Sequence, residues 1–164
     1  MEHPVARTLT RLLCVLALAP PVAHARTVEP AADGWILERW TREDGLPIDH
    51  IRDMAVDPAG LLWLATFDGL VRFDGLGFET FRTSHPEGPP SNRLITLAVN
   101  PGDGALWVRT DDFVLQRRSA AGLQTFAQEH FDWFTPGDRT LWVSGVRGVY
   151  RLEETPRLAL PLDG

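Results

Sequence analysis

One short phrase occurs three times along the chain and restricts what it can fold into. The copies are Asp57-Pro58-Ala59-Gly60-Leu61-Leu62-Trp63, Asn100-Pro101-Gly102-Asp103-Gly104-Ala105-Leu106-Trp107 and Pro136-Gly137-Asp138-Arg139-Thr140-Leu141-Trp142. Each joins an apolar strand end to a Leu-Trp strand through a turn of proline, glycine and a short polar residue, so the repeating unit is a β-hairpin. The tryptophans recur at intervals of 44 and 35 residues, which suits a four-stranded propeller blade and is too long for one coil of a β-helix.

The far edge of the unit repeats as well. Leu37-Glu38-Arg39-Trp40, Phe78-Glu79-Thr80-Phe81 and Leu123-Gln124-Thr125-Phe126 each place an apolar residue three positions before an aromatic one. In a strand those two positions lie on opposite faces, as a sheet packed between two neighbours requires. Asp68-Gly69 and Asp74-Gly75 bracket a further short strand. One full copy therefore predicts four strands, near 51–56, 61–65, 70–73 and 78–81. The expected fold is all-β, an incomplete β-propeller of about three four-stranded antiparallel blades, roughly 36–81, 82–126 and 127–164, within a domain spanning 26–164.

The first 25 residues read as a secretory signal. Arg7 and Arg11 give the positive start, Leu12 to Ala19 the apolar stretch, and Ala23-His24-Ala25 the cleavage site. The apolar stretch is too short to span a bilayer, and no later one is long enough. The single cysteine, Cys14, falls inside this leader, so the exported portion must be held by its core without disulfides. Lysine is absent and acidic residues exceed basic ones, with a net charge of −6 over the whole sequence. An acidic surface without a basic stripe excludes ordinary nucleic-acid binding.

The order Trp40-Thr41-Arg42-Glu43-Asp44-Gly45-Leu46-Pro47, then Asp57 to Thr66, then Asp68-Gly69-Leu70-Val71-Arg72-Phe73-Asp74-Gly75 resembles the two-component regulator propeller repeat. The resemblance is close from Ile36 to Phe81. In the second copy Asp111-Asp112-Phe113 stands where the first has Phe67-Asp68-Gly69, and the third lacks the Gly-Leu-Pro loop. The resemblance implies a periplasmic sensor propeller, as in hybrid histidine kinases and membrane diguanylate cyclases. It implies recognition of an extracellular cue, often an oligosaccharide, with output through a downstream kinase or cyclase module anchored in the inner membrane. No output module is visible in these residues.

Closed propellers use about 4 to 8 blades, so three copies lead us to expect an N-terminal portion of a larger sensor that further blades would complete. The outer-type strand from Ile36 to Trp40 precedes the first blade; in latched rings such a strand completes the last one. Two other readings stay open. The chain could serve alone as a periplasmic interaction module, or be part of a propeller enzyme of lyase or quinoprotein type.

Chemistry is sparse. Asp44, Asp57, Asp68, Asp74 and Asp103 adjoin glycine turns and are expected to bond turn amides. The histidines lack metal-ligand spacing, no Gly-x-Ser-x-Gly elbow is present, and no glycine loop precedes a helix to hold phosphate. We therefore expect no enzyme activity, no cofactor and no metal. Trp63, Trp107 and Trp142 are expected as wedges between blades, each indole N–H tied to a neighbouring loop, with a stacking platform for sugar as the competing role. His50, Asn92 and Arg93, just ahead of the inner strands, are the candidate ligand-binding residues. N-terminal sequencing of the exported protein should begin at Arg26; an intact Met1 terminus would remove the leader from this reading.

Overall fold

The computed structural model describes residues 28–30, 36–119, 122–134, 140–153 and 157–161. The leader 1–25, Trp35, the turn of the third hairpin and the side chains of 154–164 lie outside the described residues, as does the side chain of Trp133. Fourteen strands are described: β1 Val28–Pro30, β2 Ile36–Glu38, β3 Ile51–Val56, β4 Leu62–Thr66, β5 Gly69–Phe73, β6 Phe78–Phe81, β7 Leu94–Val99, β8 Leu106–Thr110, β9 Val114–Ser119, β10 Gly122–Gln128, β11 Phe131–Phe134, β12 Leu141–Gly145, β13 Gly148–Leu152 and β14 Arg157–Pro161. From β3 onward they form three four-stranded antiparallel sheets in simple up-and-down order: blade 1 is β3 to β6, blade 2 is β7 to β10 and blade 3 is β11 to β14. The expected all-β architecture of four-stranded blades is the one observed.

The blades stack because strand alternation gives every sheet two apolar faces. On β4, Trp63 and Ala65 point toward blade 2 and pack with Leu70 and Phe81 against Leu94, Leu97, Leu106 and Val108. Leu64, one residue out of phase, packs on the opposite face with Val71 and Leu46. Blade 2 repeats the pattern: Trp107 and Leu115 pack against Phe131, Leu141, Val143 and Leu152 of blade 3. The outer strands obey the same rule. Phe81 and Leu123 serve the first junction, Phe126 the second, and Phe78 the free face of blade 1.

The three tryptophans therefore point the same way around the array, but their surroundings differ. Trp63 is 3% exposed and Trp107 fully buried, whereas Trp142, on the face of blade 3 turned away from blade 2, is only half-buried. Their N–H groups also differ. The Trp63 indole donates to Asp57 Oδ2 at 2.9 Å, in the turn of its own hairpin instead of a neighbouring loop. The other oxygen of Asp57 accepts from the Ala59 and Leu61 amides. In blade 2 the same position is Asn100, whose amide donates to Leu152 O of blade 3 at 2.6 Å. The Trp107 and Trp142 indole nitrogens have no acceptor among the described residues.

Register irregularities repeat too. The β3/β4 ladder shifts between Ile51 and Asp53, and β7/β8 between Leu94 and Thr96, the equivalent place. The bulge turns Asp53 toward blade 2, where its carboxylate accepts from the Thr96 hydroxyl and from the Leu97 amide at 3.0 Å. Inner strands of successive blades are thereby tied by a charge-assisted bond.

The strand from Ile36 stands outside the three blades. β2 pairs antiparallel with β1, and Ile36 and Leu37 are 71% and 60% exposed. Each described blade takes its four strands from consecutive sequence, with β14 the fourth of blade 3, so β2 belongs to none of these three blades.

Two substitutions separate the wedge from its copies. Trp107→Ala should cost about 3–5 kcal/mol in unfolding free energy, as expected for a fully buried tryptophan, and Trp142→Ala clearly less; equal losses in denaturant titrations would contradict the packing described. Asp57→Ala, which orphans two turn amides and an indole, should cost about 1–3 kcal/mol.

Candidate functional site

Up-and-down order places two kinds of loop at one end of every blade. These are the connections leading into the inner strands (42–50, 82–93 and 129–130) and the hairpins between the second and third strands (67–68, 111–113 and 146–147). All three candidate ligand residues belong to this end. The turns built on Asp57, Asn100 and Asp74 belong to the other.

The first connection is shaped by a capping box. Thr41 and Asp44 bond reciprocally around a 3-10 turn, and Gly45 closes it at φ 96°, a left-handed conformation that favours glycine. Leu46 is thereby buried against Leu64 and Val71. His50 stands exposed just before β3.

The second connection carries Asn92 and Arg93, and the structure brings them together beside the tip of blade 1. Asn92 Oδ1 accepts from the Thr83 amide at 2.7 Å, while its carbonyl accepts from Gly69 N at 2.8 Å. Gly69 is required here: at φ +120° an added Cβ would lie 2.6 Å from the Phe81 carbonyl oxygen. The Arg93 guanidinium lies 4.0 Å from the centre of the Phe67 ring and pairs with the Asp111 carboxylate. Arg52 approaches the same ring at 5.1 Å. Phe67, Arg52 and Asp111 were not singled out from sequence; only their place at strand ends flanking Asn92 and Arg93 could have pointed to them.

Four of the five turn aspartates bond backbone amides as expected: Asp44, Asp57, Asp74 and Asp103. Asp68 differs. It takes a two-pronged bond from Arg82, Nε at 3.1 Å and Nη2 at 2.8 Å. That bond, with the nearby positive charge, holds the Asp68 carboxyl below its ordinary value and raises the Arg82 guanidinium. Backbone amides of Gly77 and Leu76 likewise lower Asp74.

The third connection is two residues long, and beside it a cavity of about 460 Å³ opens between blades 2 and 3. Leu115, Phe126, Ala127, Phe131 and Leu152 form its apolar wall, and Gln128, Glu129, Arg147 and Tyr150 add polar groups. Burial, reinforced by a hydrogen bond to Glu129, pushes the Tyr150 phenol above its ordinary value. The missing loop in the third copy was visible in sequence; the cavity it leaves was not. Among the described residues no group of three His, Cys, Asp or Glu converges as a metal site would require, and no helix is long and apolar enough to cross a membrane.

Three stacked four-stranded blades, each wedged on the next by a tryptophan, define a β-propeller array. Residues 45–68 match the two component regulator propeller model, so the chain carries a two-component regulator propeller repeat at its first blade. The fold also matches the extracellular domain of a B. thetaiotaomicron protein, BT3049, described as a hybrid two component system. The match has a TM-score of 0.55 and 23% identity, covering 70% of this chain and 18% of that one. This chain thus spans about a fifth of that structure. No curated protein matches it.

Because the folded-state value of Asp68 is depressed, its contribution to stability is full above the unfolded value, near 3.8, and is lost as pH falls through the lower folded value. Both partners are more than a third exposed, so screening confines the effect to about 1 kcal/mol or less. Arg82→Gln should move the Asp68 titration, followed by NMR, up toward 3.8; an unchanged midpoint would show that Arg82 is not the cause.

Proposed function

We propose that this chain is an N-terminal portion of the ligand-sensing propeller of a periplasmic, two-component-type receptor, without catalytic activity of its own. The observation that carries this reading is the family repeat at 45–68 within consecutive blades whose fold matches the extracellular domain of a protein described as a hybrid two component system. The leader supports export, and an inner-membrane anchor with a kinase or cyclase output would lie in the parent protein. Partners on this reading are further propeller blades, which would continue the stack from the half-buried Trp142 and from the Met54 and Val56 face of blade 1, both 59% exposed. Extracellular cues, oligosaccharides included, would meet the loop end that holds His50, Asn92 and Arg93. Propeller sensing needs no reactive cluster: the loop end offers hydrogen-bonding groups and rings held by rigid sheets, as binding sites do.

Two measurements test the reading. An alkaline phosphatase fused after Gly164 should be active in the host and inactive once Arg7 and Arg11 are replaced by Glu; activity in neither form would remove the periplasmic assignment. In the parent receptor, deleting blade 2 (94–128) should abolish the cue-dependent change in output while basal output persists. An unaltered cue response would overturn the sensory assignment.

A further inference from the structure

The two junctions between blades differ in a way that points to a ligand. At the first, the 82–93 connection folds back over the outer strands: His85 packs edge-on against Phe81 with ring centres 4.8 Å apart, and Glu87 bonds Arg118 of blade 2 at 2.8 Å. Arg82, the residue after the outer aromatic, meets Asp68 at the hairpin tip. At the second junction the outer aromatic is Phe126, the following residue is Ala127, and the connection is too short to fold back. The slot that the chain fills by itself in the first junction is open in the second, with the volume of a small-molecule site, typically about 300–1,000 Å³.

Its chemistry is selective. Three aromatic rings, Phe126, Phe131 and Tyr150, and the aliphatic Leu115 and Leu152 line it. A carboxylate, Glu129, and a guanidinium, Arg147, line the same cavity. Neither joins an ion pair among the described residues. Phe131 and Tyr150 meet edge-on at 5.7 Å, so the aromatic part of the wall is pre-arranged, and Glu129 lies on the same cavity.

We propose that the cavity between blades 2 and 3 binds a small zwitterion with an apolar body, an α-amino acid of aliphatic or aromatic side chain. The ammonium group pairs with Glu129 beside the aromatic rings, which favour a cation over their faces. The carboxylate pairs with Arg147 in the forked geometry that guanidinium offers, and the side chain replaces water against Leu115, Phe126 and Leu152. A neutral sugar would leave both charges unmatched. This site needs only blades 2 and 3, so it stands apart from the receptor reading: it is measured by binding, and its failure leaves the output assays above unaffected.

Calorimetric titration of the full-length chain decides it. L-Leucine should bind, and isoamylamine and isovalerate, which each lack one charge, should bind at least about ten-fold more weakly, the scale of a lost charge-assisted bond. Glu129→Gln should weaken leucine about ten-fold while leaving isovalerate unchanged, and Arg147→Gln should weaken leucine while leaving isoamylamine unchanged. Both positions are at least partly solvent-accessible, so circular dichroism should show both variants folded. Absence of leucine and phenylalanine binding to the folded chain, equal affinities for leucine and its two analogues, or glucose binding in preference to leucine would each overturn the proposal.

Discussion

The structure depends on a one-way wedge. In blades 1 and 2 the second strand sends its tryptophan onto the following blade and a flanking leucine to the opposite face: Trp63 forward and Leu64 back under Leu46 in blade 1, Trp107 forward and Leu106 back onto blade 1 in blade 2. Two-residue alternation imposes this without any signal beyond the order Leu-Trp. Buried aromatic area then fixes the blade spacing, and polar groups lock the angle. Asp53 on Thr96 and Leu97 and Asn100 on Leu152 cross the two junctions, so each interface combines non-directional burial with a few directional bonds.

Asp57 and Asn100 show how one position can serve two purposes. Aspartate turns inward and satisfies its own turn and its own indole. Asparagine keeps a turn bond, accepting from Gly102 N at 2.9 Å, and uses its amide to reach blade 3. Among the described residues the Trp107 indole N–H has no acceptor. Blade 2 thus trades a bond within its hairpin for one between blades, where an unpaired carbonyl would otherwise be buried.

Most of the architecture could be read from the residues, because hairpin turns and two-residue alternation are local. The four strands of the first copy fell within a residue of those observed, and the apolar and aromatic pair three apart did serve opposite faces at Phe78 and Phe81. What escaped the sequence was non-local. β2 is outer-type in pattern yet pairs with β1, and Asp68 adjoins glycine like its fellows yet reaches Arg82 fourteen positions on. The candidate site was legible only as loops. That Arg93 lies over Phe67, or that a shortened connection opens a cavity beside Phe126, depends on how separate blades approach each other, and no spacing within one blade encodes that.

The one-way wedge also governs assembly. The forward face of blade 3 carries Trp142, and the backward face of blade 1 carries Leu64 and Val71 under Leu46, so the two ends of the stack are unlike surfaces. A two-fold axis matches a patch with itself; here the pattern matches an end with its opposite. Joining those ends is a heterologous contact, polar in direction, that either closes into a ring or continues without limit.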